Sequence, residues 1–131
     1  MAEYKTTDYV MSIIYLLLGS ISKPKYIKSR PTDSTDSEYI VINSLPINAN
    51  VMQKCYVNVN YHVKDIDGGP NIGLIPDEDK IEAGSQSVLS ILKKVSTTSY
   101  LIDFEGQETI REEQLGEHYS NLRFSFKNIN N

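Results

Sequence analysis

One ten-residue stretch, CYVNVNYHVK, constrains the fold of this chain more than any other part of it. Apolar and polar residues alternate along it without interruption, and successive side chains of a β-strand point to opposite faces of a sheet. We therefore predict a half-buried antiparallel strand here. Its apolar face carries Cys55, Val57, Val59, Tyr61 and Val63, and its polar face carries Tyr56, Asn58, Asn60, His62 and Lys64.

Length and composition limit the remaining choices. The chain has 131 residues, of which 40% are hydrophobic, so we expect a single domain over residues 1–131 with one core. Its formal net charge of -4 argues against the basic surface that nonspecific nucleic-acid binding requires. Cys55 is the single cysteine, which excludes an intrachain disulfide, and its place on the apolar strand face predicts a buried, non-catalytic thiol.

The first helix is predicted over residues 8–18. Thr6, Thr7 and Asp8 offer capping oxygens before the apolar run YVMSIIYLLL, and Gly19 follows it. The run is too short for a bilayer, which takes about 20 apolar residues, so we expect no membrane span. A helix with two apolar stripes must be covered on both sides. The stripe predicted to face the core is Val10, Ile13, Ile14 and Leu17, and the stripe predicted to contact another subunit is Met11, Tyr15 and Leu18.

Shorter patterns indicate the other elements. We predict a short basic strand at residues 26–27, a central strand at 39–42, and closing strands at 100–104 and 122–126. A second helix opens with the proline and acids of residues 76–79, and Gly84 should let it approach the sheet closely. Its apolar face comprises Ile81, Gly84, Val88, Ile91, Leu92 and Val95. The expected fold class is α+β, a single antiparallel or mixed β-sheet with two helices on one face.

Two polar loops, about residues 29–37 and 65–77, are predicted to project from the domain. The second begins with Asp65 and Asp67 at the spacing of a calcium-binding EF-hand. The required sixth-position glycine is Pro70, however, and the bidentate glutamate is replaced by Pro76. A plain turn is the better interpretation.

No arrangement of residues indicates catalysis or a cofactor. His62 and His118 are the two histidines, and a solvated or hydrogen-bonded role suits each better than metal binding, for which further ligands are needed. The acidic stretch between the closing strands suits a solvated hairpin, and secondarily an electrostatic docking surface, better than a catalytic pair of carboxylates. The basic segment with Lys23, Lys25, Lys28 and Arg30 suits either a solvated edge strand or a complement to that stretch in another subunit better than a nucleic-acid patch.

Taken in order, these elements resemble a known family. An apolar N-terminal helix, a basic short strand, SRPTDSTDSEYIVINSLPI, CYVNVNYHVKD, a Gly-Pro loop, an amphipathic helix and a Phe-rich closing strand are similar to the tail-completion or tail-terminator proteins of tailed bacteriophages. The resemblance covers nearly the whole chain and rests on element order rather than on an invariant motif.

The resemblance implies a structural virion protein without catalysis. It would form a hexameric or dodecameric ring at the phage neck or tail end, assembled in the host cytoplasm between connector and tail proteins. The two loops would be contact arms, and DNA would pass through the lumen without sticking. The residues expected at the oligomer interface are Met11, Tyr15, Leu18, Lys25, Lys28 and Arg30, and those expected at a partner contact or the lumen are Asn58, Asn60, His62, Glu105, Glu108, Glu112 and Glu113.

A second hypothesis comes from another class. The polar strand face with Asn58, Asn60 and His62 would bind a small molecule or peptide in a non-enzymatic α+β module that forms a homodimer. That reading needs a concave pocket, whereas the ring needs a large symmetric assembly. An enzyme ranks third, because no convergent acid and base are indicated.

Overall fold

The computed structural model describes residues 4–49 and 52–129. Within them, α1 is followed by five strands, α2 and three more strands, with single 3₁₀ turns at Leu18–Ser20 and Glu113–Leu115. The bounds are α1 (Thr7–Leu17), β1 (Lys25–Ile27), β2 (Glu38–Ser44), β3 (Gln53–Lys64), β4 (Ile66–Asp67), β5 (Leu74–Ile75), α2 (Glu78–Leu92), β6 (Lys94–Ser96), β7 (Tyr100–Glu112) and β8 (Glu117–Asn128).

Six strands form one mixed sheet in the order β1-β2-β3-β8-β7-β6. β1 runs parallel to β2, and the other neighbours are antiparallel. The α+β class is confirmed, but the expectation of a single sheet is wrong. β4 and β5 form a separate two-stranded hairpin inside the loop predicted to be irregular, because Gly68 and Gly73 close its turn through a 2.7 Å backbone hydrogen bond.

Both helices cover the same face of the sheet, as expected. The apolar side of β3 lies beneath them, and Cys55, Val57, Val59, Tyr61 and Val63 are all buried. Burial raises the pKa of the Cys55 thiol, which agrees with a structural cysteine. The opposite face of the sheet carries no helix in the described part of the chain, and we call it the open face. The alternation in β3 therefore predicted its two environments correctly.

The first helix begins at Thr7, where the Thr6 hydroxyl accepts a hydrogen bond from the Tyr9 amide at 3.3 Å. Its second apolar stripe is not a free surface. Met11 is 3% exposed and Leu18 is fully buried, both within the core of the same chain. Their expected role at an oligomer interface is therefore wrong. Met11 and Leu18 lie three and four residues from the core residue Ile14, so helical spacing places them beside it, and of the stripe only Tyr15 stays exposed.

The second helix is shorter than predicted. Asp77 caps it by accepting from the Lys80 amide at 3.3 Å, and it ends at Leu92, so Val95 lies in β6 rather than on the helix. The close approach at Gly84 is confirmed. A Cβ added to Gly84 would lie 2.2 Å from a ring carbon of Tyr61, well inside van der Waals contact.

The closing strands are much longer than predicted, because the acidic stretch continues β7 and opens β8. A β-bulge lies between Phe104 and Gly106 in β7. Glu105 at the bulge and Gln107, Glu108 and Thr109 beyond it are all exposed, so this part of the strand has solvent on both faces and shows no apolar alternation. None of the described helices has the length and apolar character needed to cross a membrane.

Candidate functional site

A column of stacked rings crosses the open face. Tyr39 of β2, His62 of β3 and Tyr119 of β8 are directly opposite one another in the strand register. The Tyr39 and His62 ring centroids lie 4.5 Å apart, and those of His62 and Tyr119 lie 4.6 Å apart. The Arg30 guanidinium lies 4.1 Å from the centroid of Tyr39 and extends the column. Three strands and the loop before β2 are thus joined through one row of side chains.

Glu117 supports this column through hydrogen bonds to two of its residues. Its buried carboxylate accepts a hydrogen bond from the Tyr39 hydroxyl and lies 3.0 Å from Nδ1 of His62. Burial lowers the pKa of His62 in spite of the opposing effect of Glu117, so the imidazole is neutral near pH 7. A carboxylate only accepts, so Nδ1 carries the proton and donates it. The contact is a hydrogen bond from a neutral ring and not an ion pair.

The lowered pKa of His62 makes stability depend on pH. Below about pH 6.5 the unfolded chain binds a proton at this histidine and the folded chain does not. The free energy of unfolding should therefore decrease as the pH is lowered, by up to about 1.4 kcal/mol per pH unit. Above that pH this group contributes no slope. Urea unfolding between pH 5 and 7.5 measures the effect. His62→Phe keeps an aromatic ring in the column and should lose this part of the slope; an unchanged slope would show that another group causes it.

A cavity of about 390 Å³ opens beside the column on the open face. The loop from residue 29 to 37 forms one wall, and it is anchored instead of projecting freely. The Tyr26 hydroxyl donates to Asp36 at 2.5 Å, and Arg30 donates to the Asp36 carbonyl at 3.4 Å. Hydrogen bonds from Ser34 and then Tyr26 hold the pKa of Asp36 below its usual value. The lining residues include Arg30, Thr32, Tyr39, Asn43, Asn60, His62, Glu112 and Tyr119.

The polar residues predicted on β3 take different positions. Asn60 lines the cavity and accepts a hydrogen bond from Asn121 at 2.6 Å, while Asn58 is half-buried opposite Arg123. His62 is only 8% exposed, so it does not present the polar surface expected of it at a lumen or partner contact. Of the two roles left open for the histidines, the hydrogen-bonded one is confirmed for both, since His118 Nδ1 lies 2.6 Å from Asp65.

The basic residues lie at one edge of the sheet, along β1 and the loop after it. Lys25 donates to the carbonyl of Ile21 at 2.6 Å, and Lys28 lies 3.1 Å from Asp8 in an exposed ion pair. Lys28 also has a positive φ of 76°, which marks a turn out of the short strand. Each of the three basic residues expected at an interface, Arg30 included, thus has a contact within its own chain.

The acidic residues follow β7, toward the other edge of the sheet. Glu105, Glu108 and Glu113 are exposed, whereas Glu112, at the end of β7, is half-buried and lines the cavity together with Arg30. β6 pairs with β7 only from Leu101 to Asp103, and one further bond joins the Phe104 amide to the Lys93 carbonyl at 3.0 Å. Across residues 4–49 and 52–129, no strand pairs with the outer edge of β7 from residue 105 to 112. That edge is about 27 Å long at 3.4 Å per residue.

Tyr39, Tyr119 and Glu117 were not singled out from the sequence as site residues. They are far apart in the chain, and their meeting depends on the register of three strands. Glu117 belonged to the stretch interpreted as solvated, yet it is 4% exposed because β8 turns it toward Tyr39 and His62. The matching alternation of β3 and the end of β8 was the available signal, once their pairing is known.

Comparison with known proteins adds no relative: the chain matches no protein-family model, and no curated protein is significantly similar to it. The described side chains also contain no group of three or more His, Cys, Asp or Glu residues that could hold a metal ion.

Proposed function

We propose that this protein is a non-catalytic structural subunit of a ring at the neck or tail end of a tailed bacteriophage. The observation that carries the proposal is the difference between the two edges of the sheet. One edge is the short basic strand β1, and toward the other edge lies the long, unpaired acidic part of β7. Unlike, complementary sides favour head-to-tail association, which closes into a ring when the rotation between subunits allows it.

The free edge of β7 gives the stronger support for a ring. An unpaired strand edge offers a row of amide and carbonyl groups to another chain. Pairing two β7 edges in a twofold dimer would bring Glu105 and Glu108 close to their own copies, and like charges across strands are destabilising. A basic edge is the better partner, which favours a ring of copies over a homodimer.

The ion pairs on the basic side do not prevent such a contact. Lys28 and Asp8 form an ion pair in which the two side chains are 64% and 72% exposed, respectively. Exposed pairs of this kind contribute little to stability. Lys23 pairs with Glu38 at 3.2 Å and is also partly exposed. Exchanging Asp8 for a glutamate of a neighbouring subunit as the partner of Lys28 therefore costs little.

The hairpin of β4 and β5 supports contacts with a further protein. Three of its large apolar residues are well exposed: Ile66 is 44% exposed, Ile72 65% and Leu74 56%. Leu115, near the same hairpin, is 53% exposed. We assign this hairpin to the contact with the adjacent connector or tail ring, since apolar groups clustered on a projecting element mark interaction sites.

The assignment to a phage virion draws on the order of elements in the chain and on the one-sided sheet with its unlike edges. A hexamer or dodecamer would be assembled in the host cytoplasm. The acidic segment with Glu105, Glu108, Glu112 and Glu113 would repel DNA phosphates, so that DNA passes a lumen without binding.

Native mass spectrometry and negative-stain electron microscopy test the ring directly. We expect a closed assembly of six or twelve copies at high protein concentration. The double change Glu105→Lys and Glu108→Lys should weaken assembly at least about tenfold, because it places lysines against the basic edge. Glu82→Lys, on the exposed side of α2, is the matched control and should leave assembly unchanged.

A reciprocal change sharpens this test. Lys25→Glu with Lys28→Glu should weaken assembly alone, and mixing this variant with the β7 double variant should restore mixed rings. A monomer at every concentration would contradict the proposal. So would a twofold dimer that the β7 changes leave intact.

A further inference from the structure

The buried imidazole of His62 has one nitrogen without a partner. Nδ1 donates to Glu117, which does not line the cavity, whereas His62 itself does. Nε2 makes no hydrogen bond to any residue in the described ranges, which leaves it as the ring nitrogen available to a ligand in the cavity. Because the ring is neutral with its proton on Nδ1, Nε2 offers a lone pair. A buried acceptor of this kind calls for a donor.

The charge around the cavity indicates which kind of donor. Glu112 lines the cavity, is directly opposite Glu117 in the β7–β8 register, and has no ion pair within residues 4–49 and 52–129. Two carboxylates opposed in this way repel each other. Arg30 lines the cavity too, but its guanidinium is stacked on Tyr39 and bonded to the Asp36 carbonyl. Glu112 is thus left without a cation of its own.

We propose that the cavity beside His62 binds a primary ammonium group. The ammonium would donate to Nε2 of His62 and to the carboxylate of Glu112, both of which belong to residues that line the cavity. A primary ammonium carries its donors on one compact positive charge, which suits a neutral acceptor beside a carboxylate that has no ion pair. The group can belong to a small amine or to a lysine side chain of another copy.

The proposal is independent of the ring, because its site is complete within one subunit. The experiment titrates the protein with n-butylammonium chloride at about pH 8, where an ordinary histidine is neutral. Long-range ¹H–¹⁵N NMR reports the His62 Nε2 shift. We expect a saturable change in that shift, with no comparable change at His118. Butan-1-ol has a donor without the charge, and tetramethylammonium has the charge without a donor, so neither should reproduce it.

Two neighbouring glutamates provide matched variants. Glu112→Gln should weaken butylammonium binding at least about tenfold, since a charge-assisted hydrogen bond becomes a neutral one. Glu113→Gln, an exposed change one residue away, should leave binding unaltered. Both variants are first compared with the parent by urea unfolding, so that a loss of binding is not a loss of fold.

The source of the ammonium follows from the same signal. If a lysine of another copy fills the site, Nε2 of the concentrated protein already shows the bound shift, and dilution reverses it. If a small amine is the ligand, the shift depends on butylammonium and not on protein concentration. The proposal is overturned if Nε2 responds to neither, if tetramethylammonium acts equally well, or if Glu112→Gln and Glu113→Gln behave alike.

Discussion

Replacing Gly84 with alanine is expected to lower the free energy of unfolding by about 3 kcal/mol, the upper part of the range for overpacking a core. The new methyl group would lie 2.2 Å from the ring of Tyr61, which is itself 3% exposed and fixed by a 2.8 Å hydrogen bond from its hydroxyl to Glu38. Neither α2 nor the ring can move without disturbing the core. Urea unfolding followed by circular dichroism measures the change.

Gly19→Ala is the matched control, because nothing lies within 4 Å of a Cβ at Gly19. It should alter stability by less than about 1 kcal/mol. The double variant Gly84→Ala with Tyr61→Leu should lose less than the sum of the single changes, since removing the ring relieves the clash. Strict additivity, or a Gly84→Ala protein as stable as its parent, would contradict the close packing of α2 on β3.

Replacing Glu117 with alanine is expected to cost about 3 kcal/mol as well. The change removes the acceptor shared by the Tyr39 hydroxyl and Nδ1 of His62, and each buried donor left unpaired costs about 1–3 kcal/mol. The stacked column should loosen at the same time. Urea unfolding gives the stability, and the ring resonances of Tyr39 and His62 report the column.

Glu117→Gln separates the hydrogen bonds from the charge. Its side-chain carbonyl can still accept from one of the two donors, so it should lose clearly less stability than alanine. Glu113→Ala, an exposed change close in sequence, should be almost silent. If alanine and glutamine at position 117 destabilise equally, the carboxylate does not support the column through hydrogen bonds.

Some of the fold follows directly from local sequence. The alternation from Cys55 to Lys64 specified β3 and its buried face, because a two-residue period can be recognised without knowledge of the neighbouring strands. The proline and acids at residues 76–79 specified where α2 begins, and Gly84 its closest approach. The end of α2 was predicted too far along the chain. Val95 continues an apolar helical pattern, but it lies in β6, which pairs with β7.

The outer half of β7 shows the opposite case. Apart from Gly106 and Ile110 its residues are polar, so no alternation separates strand from loop, and pairing with β8 is what makes it a strand. The same holds for the interface predicted on α1. Met11 and Leu18 were predicted to form an exposed stripe, but both are buried in the same core cluster as Ile14.

The sequence by itself determined the class of the fold, the strand at its centre, the sheet face that the helices cover and the two segments of opposite charge. These depend on residues close together in the chain. Only the tertiary structure decided that Tyr39, His62, Tyr119 and Glu117 meet, that a cavity opens beside them and that β7 keeps a free edge. The physical reason is register: residues distant in sequence become neighbours only when several strands pair in one particular alignment.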